Sequence, residues 1–291
     1  MRYKKSRTEK IDIRGLRYSV RHWGPEDAPM VFFLQGWMDC SPTFQFVVDA
    51  LREEWHVIAP DWRGFGESEW LNRSYWFPDY YADFDRLLAR YSPNGPARLV
   101  GHSMGANIAA SYAGVRPRRV SQVVMLDSLG LKPAVDDDSP KLFDRWIDAI
   151  ENGVTAHFHP NREALVARLM KANPRLSEAR AAFLSRNVSR TNDDGSVMMA
   201  CDPWHRVPSP LVYHVDDTLD CWRRVEAPVL LLIAEHGYIV QRFGSDPREF
   251  ERRRSSLPDL RTVCIPDAGH NAQHDQPERV AAAIEAFLSR D

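Results

Sequence analysis

Short apolar runs alternate along the chain with stretches whose apolar positions recur at helical spacing. That alternation predicts a mainly parallel sheet covered by helices. Lys10–Ile13 and Arg17–His22 read as an opening hairpin with Gly15 in its turn. Met30–Leu34 reads as a buried strand, Thr43–Leu51 as a helix, and Trp55–Ala59 as a strand stopped by Pro60. An amphipathic helix is expected at Tyr80–Tyr91, a strand at Ala97–Val100, a helix at Met104–Val115 and a strand at Val120–Leu126. The alternation then breaks. From about Pro133 to Cys221 the pattern predicts helices at Pro140–Ile150, Arg162–Lys171 and Ser177–Asn187, separated by loops rich in Asp, Asn and Pro. Val229–Ala234 and Arg261–Ile265 resume the sheet, and Pro277–Ser289 reads as a closing helix.

This pattern divides the chain into a core formed by 1–132 and 223–291 and a helical cap inserted at 133–222. The cap carries many large apolar groups, among them Trp146, Phe183, Met199, Trp204 and Trp222. Most should form the cap's own core, with two or three lining a pocket. Trp146, Trp204 and Gln35 are the candidates for that lining. A second aromatic cluster between Trp70 and Tyr81 reads as a cap-packing surface or a pocket wall.

The pentapeptide Gly101-His102-Ser103-Met104-Gly105 lies between a predicted strand and a predicted helix. In that context G-x-S-x-G reads as a nucleophile elbow, a turn so sharp that the residues flanking the serine must be small. The helix N-terminus beneath Ser103 favours developing negative charge.

Other segments resemble the α/β-hydrolase superfamily. Val31-Phe32-Phe33-Leu34-Gln35-Gly36-Trp37 looks like its strand and oxyanion loop. Asp61-Trp62-Arg63-Gly64-Phe65-Gly66-Glu67-Ser68 resembles its D-x-R-G-x-G-x-S loop. Asp267-Ala268-Gly269-His270-Asn271, followed by Gln276-Pro277-Glu278, resembles its histidine loop and last helix. The resemblance runs from about Ile11 to Leu288. It implies an α/β-hydrolase fold with a mostly parallel eight-stranded sheet and an inserted helical cap. It also implies Ser103 as nucleophile, His270 as general base, and the backbone N–H groups of Trp37 and Met104 as oxyanion donors. His274 competes with His270 for the base. Arg63, Gly64 and Gly66 read as structural.

The acid is the departure. The family usually places it after the strand that is here Val229–Ala234, but Gly237 falls at that position in Ala234-Glu235-His236-Gly237. A glycine cannot orient an imidazole, and the need to hold its tautomer remains. Asp127, after Val120–Leu126, meets that need and keeps the chain order nucleophile, acid, base. Certain lipases and cofactor-independent dioxygenases of this fold place their acid after this strand. Asp127 capping a turn, and Glu235 as the acid, are the competing readings.

The charge balance of −2 gives no electrostatic case for nucleic acid or an anionic membrane. No metal set and no cofactor is expected. His157-Phe158-His159 lacks convincing partners, and Arg252-Arg253-Arg254 reads as the solvated face of a helix. Cys40, Cys201, Cys221 and Cys264 have no C-x-x-C spacing and read as reduced thiols. Without a signal-like h-region the expected location is the cytoplasm, with a small molecule as the only expected partner. The leading functional expectation is a serine hydrolase cleaving an ester, thioester, lactone or carbon–carbon bond of a small apolar substrate. The alternative is a cofactor-independent dioxygenase, suggested by Pro60–Gly64, Gly36-Trp37 and the displaced acid. A non-catalytic binding protein on this scaffold is a third reading, supported by Gly237 alone.

Overall fold

The structure, a computed structural model, describes residues 3–132 and 138–289. The expected start of the cap at Pro133 lies outside the described residues. β1 (Ser6–Ile13) and β2 (Leu16–Trp23) form the opening hairpin, turning at Arg14 and Gly15, both with positive φ. β3 (Met30–Leu34), α1 (Gln45–Ala50), β4 (His56–Pro60), α2 (Pro78–Tyr91), β5 (Ala97–His102), α3 (Met104–Val115) and β6 (Val120–Leu126) follow in alternation. After the inserted segment come β10 (Val229–Ala234), α8 (Tyr238–Phe243), α9 (Pro247–Arg254), β11 (Leu260–Ile265), α10 (Ala272–Asp275) and α11 (Pro277–Leu288).

The eight long strands make one sheet in the order β1-β2-β4-β3-β5-β6-β10-β11. β2 pairs antiparallel with both its neighbours, and every other pairing is parallel. Its central strands are buried on both faces, which is why they read as unbroken apolar runs. Alternation along each strand splits them between two cores. Phe32, Leu99, Met125 and Leu231 face one core, with Phe84 of α2 and Ile108 of α3. Phe33, Val100, Val124 and Leu232 face the other, with Val47 of α1 and Ile284 of α11.

The inserted segment contains α4 (Ser139–Asn152), β7 (Phe158–His159), α5 (Arg162–Ala172), α6 (Glu178–Asn187), β8 (Ser189–Thr191), β9 (Val197–Met199) and α7 (Val215–Trp222). Asp138, Asn161 and Ser177 cap α4, α5 and α6 by accepting from backbone N–H groups. The sequence pattern did not foresee the small antiparallel sheet β7-β9-β8, whose strands are too short to show alternation. Leu176, Ala181, Leu184 and Val188 pack on Cys40 and Phe46, seating α5 and α6 on the core. α7 was not foreseen either. It lies so close to α3 that a Cβ on Gly114 would meet the Cys221 carbonyl oxygen at 1.8 Å. Trp222, expected among the cap aromatics, is therefore buried in the main core.

The aromatic cluster after Asp61 is a cap-packing surface. The Tyr75 hydroxyl (2.7 Å) and Asn72 N–H (3.0 Å) donate to Asp202. His205 stacks on Phe65 at 3.9 Å and on Tyr75 at 3.6 Å between ring centroids, with Nε2 3.1 Å from the Arg63 carbonyl oxygen. Phe65 forms a β-bridge with Cys201. Gly64 has φ +77°, and a Cβ there would meet the Tyr75 hydroxyl at 2.3 Å. Arg63 is buried against Asp83 (2.6 and 2.7 Å) and Asp79 (2.7 Å), as expected of a structural residue. One expectation fails in the same half of the molecule. Arg252–Arg254 do end a helix, but Arg253 points inward and is fully buried. It donates to the carbonyls of Leu129 (3.0 Å) and Leu131 (2.8 Å), acceptors that no local pattern displays.

Candidate active site

The turn from β5 into α3 requires its glycines. A Cβ on Gly101 would lie 2.4 Å from the Gly105 backbone, and one on Gly105 would lie 2.0 Å from the Leu34 carbonyl oxygen. Ser103 takes φ +51°, ψ −114°, a conformation that costs about 1–3 kcal/mol and persists only when its surroundings impose it. The Ser103 N–H is held by the Leu126 carbonyl at 3.1 Å. The hydroxyl is lifted clear of the sheet edge.

Asp127, also at positive φ, is the first residue beyond β6 and is fully buried. Its N–H donates to Leu232 at 2.8 Å. Its Oδ2 accepts from the Tyr238 N–H at 2.6 Å and lies 2.8 Å from His270 Nδ1, while Oδ1 meets the Ala234 N–H at 3.3 Å. Two backbone N–H groups and the imidazole thus surround one carboxylate. On the other side of the imidazole, His270 Nε2 lies 3.0 Å from Ser103 Oγ. Gly237 explains itself here. A Cβ at that position would stand 2.3 Å from Asp127 Oδ2. The turn after β10 offers backbone N–H groups to a carboxylate that arrives from β6.

The competitors are engaged elsewhere. Glu235 accepts from the Asp267 N–H at 2.8 Å. His274 Nε2 lies 2.5 Å from Thr43 Oγ1, its carbonyl accepts from Arg180, and burial lowers its pKa to about 4. His102 is buried, with burial first and then the His270 charge holding it well below the ordinary histidine range. Its Nε2 lies 2.9 Å from the His270 carbonyl oxygen and so steadies the loop that carries His270.

The loop after β3 crosses above the elbow, so close that a Cβ on Gly36 would meet Ser103 Cβ at 3.2 Å. It carries Trp37. Met104 opens α3, where the first N–H groups have no intrahelical acceptor. Gln35 was expected at the substrate pocket, but it is fully buried beneath this loop. With its amide oriented to satisfy both neighbours it donates to the Pro60 carbonyl at 2.6 Å and accepts from the Trp62 N–H at 2.9 Å. It braces the loop and does not border the cavity beside Ser103.

A cavity of about 270 Å³ opens beside Ser103 and His270. Met38, Leu169, Leu176, Leu184, Val188 and Met199 supply its apolar wall. Asp39, Asn173 and Asn271 supply polar groups, and burial pushes the Asp39 carboxyl up to about 7. Trp146 and Trp204 do not border it. Trp146 lies half-buried on α4, and Trp204 sits in the turn whose neighbours Asp202 and His205 dock on the Asp61 loop. The wall comes instead from the facing sides of α5 and α6. Their apolar positions were visible in sequence, but which side faced Ser103 was not.

A sequence profile described as the alpha/beta hydrolase fold matches residues 29–277. The chain belongs to the α/β-hydrolase family. Among the relatives of this α/β-hydrolase, a serine hydrolase-like protein of Danio rerio is 30% identical over 91% of this chain and 83% of that one. The 2-(acetamidomethylene)succinate hydrolase of Mesorhizobium japonicum is 26% identical over 97% and 95% of the two chains. The thioesterase domain from the curacin biosynthetic pathway superposes with a TM-score of 0.83 at 23% identity, covering 96% of this chain and 99% of that one, a likeness of fold. Relatives bearing these names make the chain a hydrolase. Among the described residues no helix is long and apolar enough to cross a membrane.

Proposed function

We propose that this α/β-hydrolase cleaves an ester-type bond of a small substrate through a Ser103–His270–Asp127 triad and an acyl-enzyme. The observation that carries the reading is the unbroken line of contacts from Ser103 Oγ to His270 Nε2 (3.0 Å) and from His270 Nδ1 to Asp127 Oδ2 (2.8 Å). A serine hydroxyl at its ordinary pKa is a weak nucleophile and needs such a base. His270 takes the Ser103 proton as Oγ attacks the carbonyl carbon, then returns it to the leaving group. Asp127 holds the proton on Nδ1 and stabilises the imidazolium. The Trp37 and Met104 N–H groups receive the negative charge that develops on the carbonyl oxygen. Water activated by His270 then releases the acid. The dioxygenase alternative needs only the His270–Asp127 pair and gives the Ser103 contact no purpose.

A fluorophosphonate probe tests the proposal. Stoichiometric labelling confined to Ser103, mapped by mass spectrometry and lost in His270→Ala, is expected. A folded protein that does not react, or one that reacts at another residue, overturns it.

A further inference from the structure

A second cavity, of about 290 Å³, adjoins the one beside Ser103, and Met38, Leu169, Ala172 and Met199 border both. Its character is different. Arg168, Arg206, His157 and His159 line it, and no carboxylate does among the described residues. The fold brings these four together from separate elements. Leu165, Arg168, Leu169 and Ala172 recur at helical spacing, so one face of α5 presents both the apolar wall and the guanidinium. His157 and His159 flank Phe158 in β7, with ring centroids 5.9 Å apart. Arg206 ends the turn of residues 203–206.

The two guanidiniums lack counter-charges. Among the described residues Arg168 makes no ion pair, and Arg206 meets only the Thr155 carbonyl at 3.5 Å. Burial, then the fields of His157 and Arg168, hold His159 below its ordinary pKa, so the chamber resists further positive charge. Among the described residues no group of three or more His, Cys, Asp and Glu is placed to hold a metal ion. The near cavity, by contrast, is lined among the described residues by the Asp39 carboxyl and by neither Arg nor Lys.

We infer that the second chamber receives an oxyanion, a carboxylate or phosphate, at the far end of one arm of the substrate, so that the compound hydrolysed is a negatively charged ester. The inference rests on the proposed serine chemistry at Ser103. It replaces the expected small apolar substrate with one that is apolar beside the scissile bond and anionic beyond it. Arg168 and Arg206 supply forked donors suited to such a group.

Two alkylphosphonofluoridates of equal length test it, one ending in a carboxylate and the other in its methyl ester. Ser103 Oγ bonds to phosphorus and fluoride leaves in both, so the rates differ only through the remote end. At the arm length that reaches the second chamber, the carboxylate probe should label at least about tenfold faster, the scale of a charge-assisted hydrogen bond. The ratio should fall toward one in the Arg168→Gln, Arg206→Gln double variant. It should also shrink with added salt in the wild-type protein, a readout independent of the variant's folding. A third probe ending in phosphate identifies the oxyanion by which of the two charged probes reacts faster. Equal rates for carboxylate and ester at every length, with Ser103 still labelled, overturn this inference and leave the triad standing. No labelling by any probe overturns both.

Discussion

The turn after β6 and the turn after β10 stand side by side at the C-terminal ends of their strands, and the first is the one that brings a carboxylate to His270. The first ends in Asp127, fully buried and ringed by donors. The second has Gly237, where a Cβ would overlap the Asp127 carboxylate at 2.3 Å. The two turns are complementary. The imidazole needs one acceptor at Nδ1, and the space there holds one carboxylate. Which strand delivers it matters less than that the other turn gives way and contributes N–H groups. A glycine at the family's acid position therefore leaves room for a carboxylate from β6 at His270 Nδ1.

That comparison is broken most severely by Asp127→Asn. It should lower kcat by roughly 10⁴-fold with KM little changed, because the amide supports the wrong imidazole tautomer. Unchanged turnover would remove Asp127 from the triad. A pH effect singles out the buried His274. The folded pKa of His274, about 4, lies below the ordinary 6.5, so its contribution is present above pH 6.5 and is lost as pH falls toward 4. The loss amounts to about 3 kcal/mol. Urea unfolding at pH 7 and pH 4.5 should show His274→Asn less sensitive to acid than the wild type. Gly237→Ala pushes a methyl into the carboxylate and should reduce kcat by about 10–100-fold, the cost of a displacement near 1 Å. Moving the acid, by pairing Asp127→Gly with Gly237→Asp, should recover about tenfold over Asp127→Gly alone, since glycine tolerates the positive φ at 127. No recovery would mean that the turns are not interchangeable. Glu235→Gln should change kcat/KM by less than about twofold, because its partner is the Asp267 backbone.

Much of the sheet was legible because its strands are buried on both faces. Met30–Leu34, Val120–Leu126 and Val229–Ala234 have the bounds their apolar runs suggest. That Ser103, His270 and Asp127 lie close together was foreseen for a different reason: the resemblance of the elbow and the histidine loop to known motifs named two of them, and Gly237 turned attention to the end of β6 for the third. The pocket was not. Trp146 and Trp204 are large and apolar, yet their neighbours rather than their size decide what they face. Gln35 is polar and close to Ser103 in space, but its amide is consumed by Pro60 and Trp62. The buried Arg253 escaped notice because, beside the local Glu249 (2.7 Å), the carbonyls that draw it inward lie more than a hundred residues away. Long-range partners leave no local period.

The bridge between Phe65 and Cys201 has a mechanical consequence. The inserted segment leaves the sheet after β6 and rejoins it before β10, and two attachments alone would let it swing like a door. The bridge, the Tyr75–Asp202 bond and the stacked His205 rivet it at a third place. A door riveted on its free side does not swing. Residues 200–206 are thereby pinned to the Asp61 loop, while α5 and α6 rest on Cys40 and Phe46 at a fourth place. Freeing the segment therefore takes cuts at both of these places, not a change at its two chain ends alone.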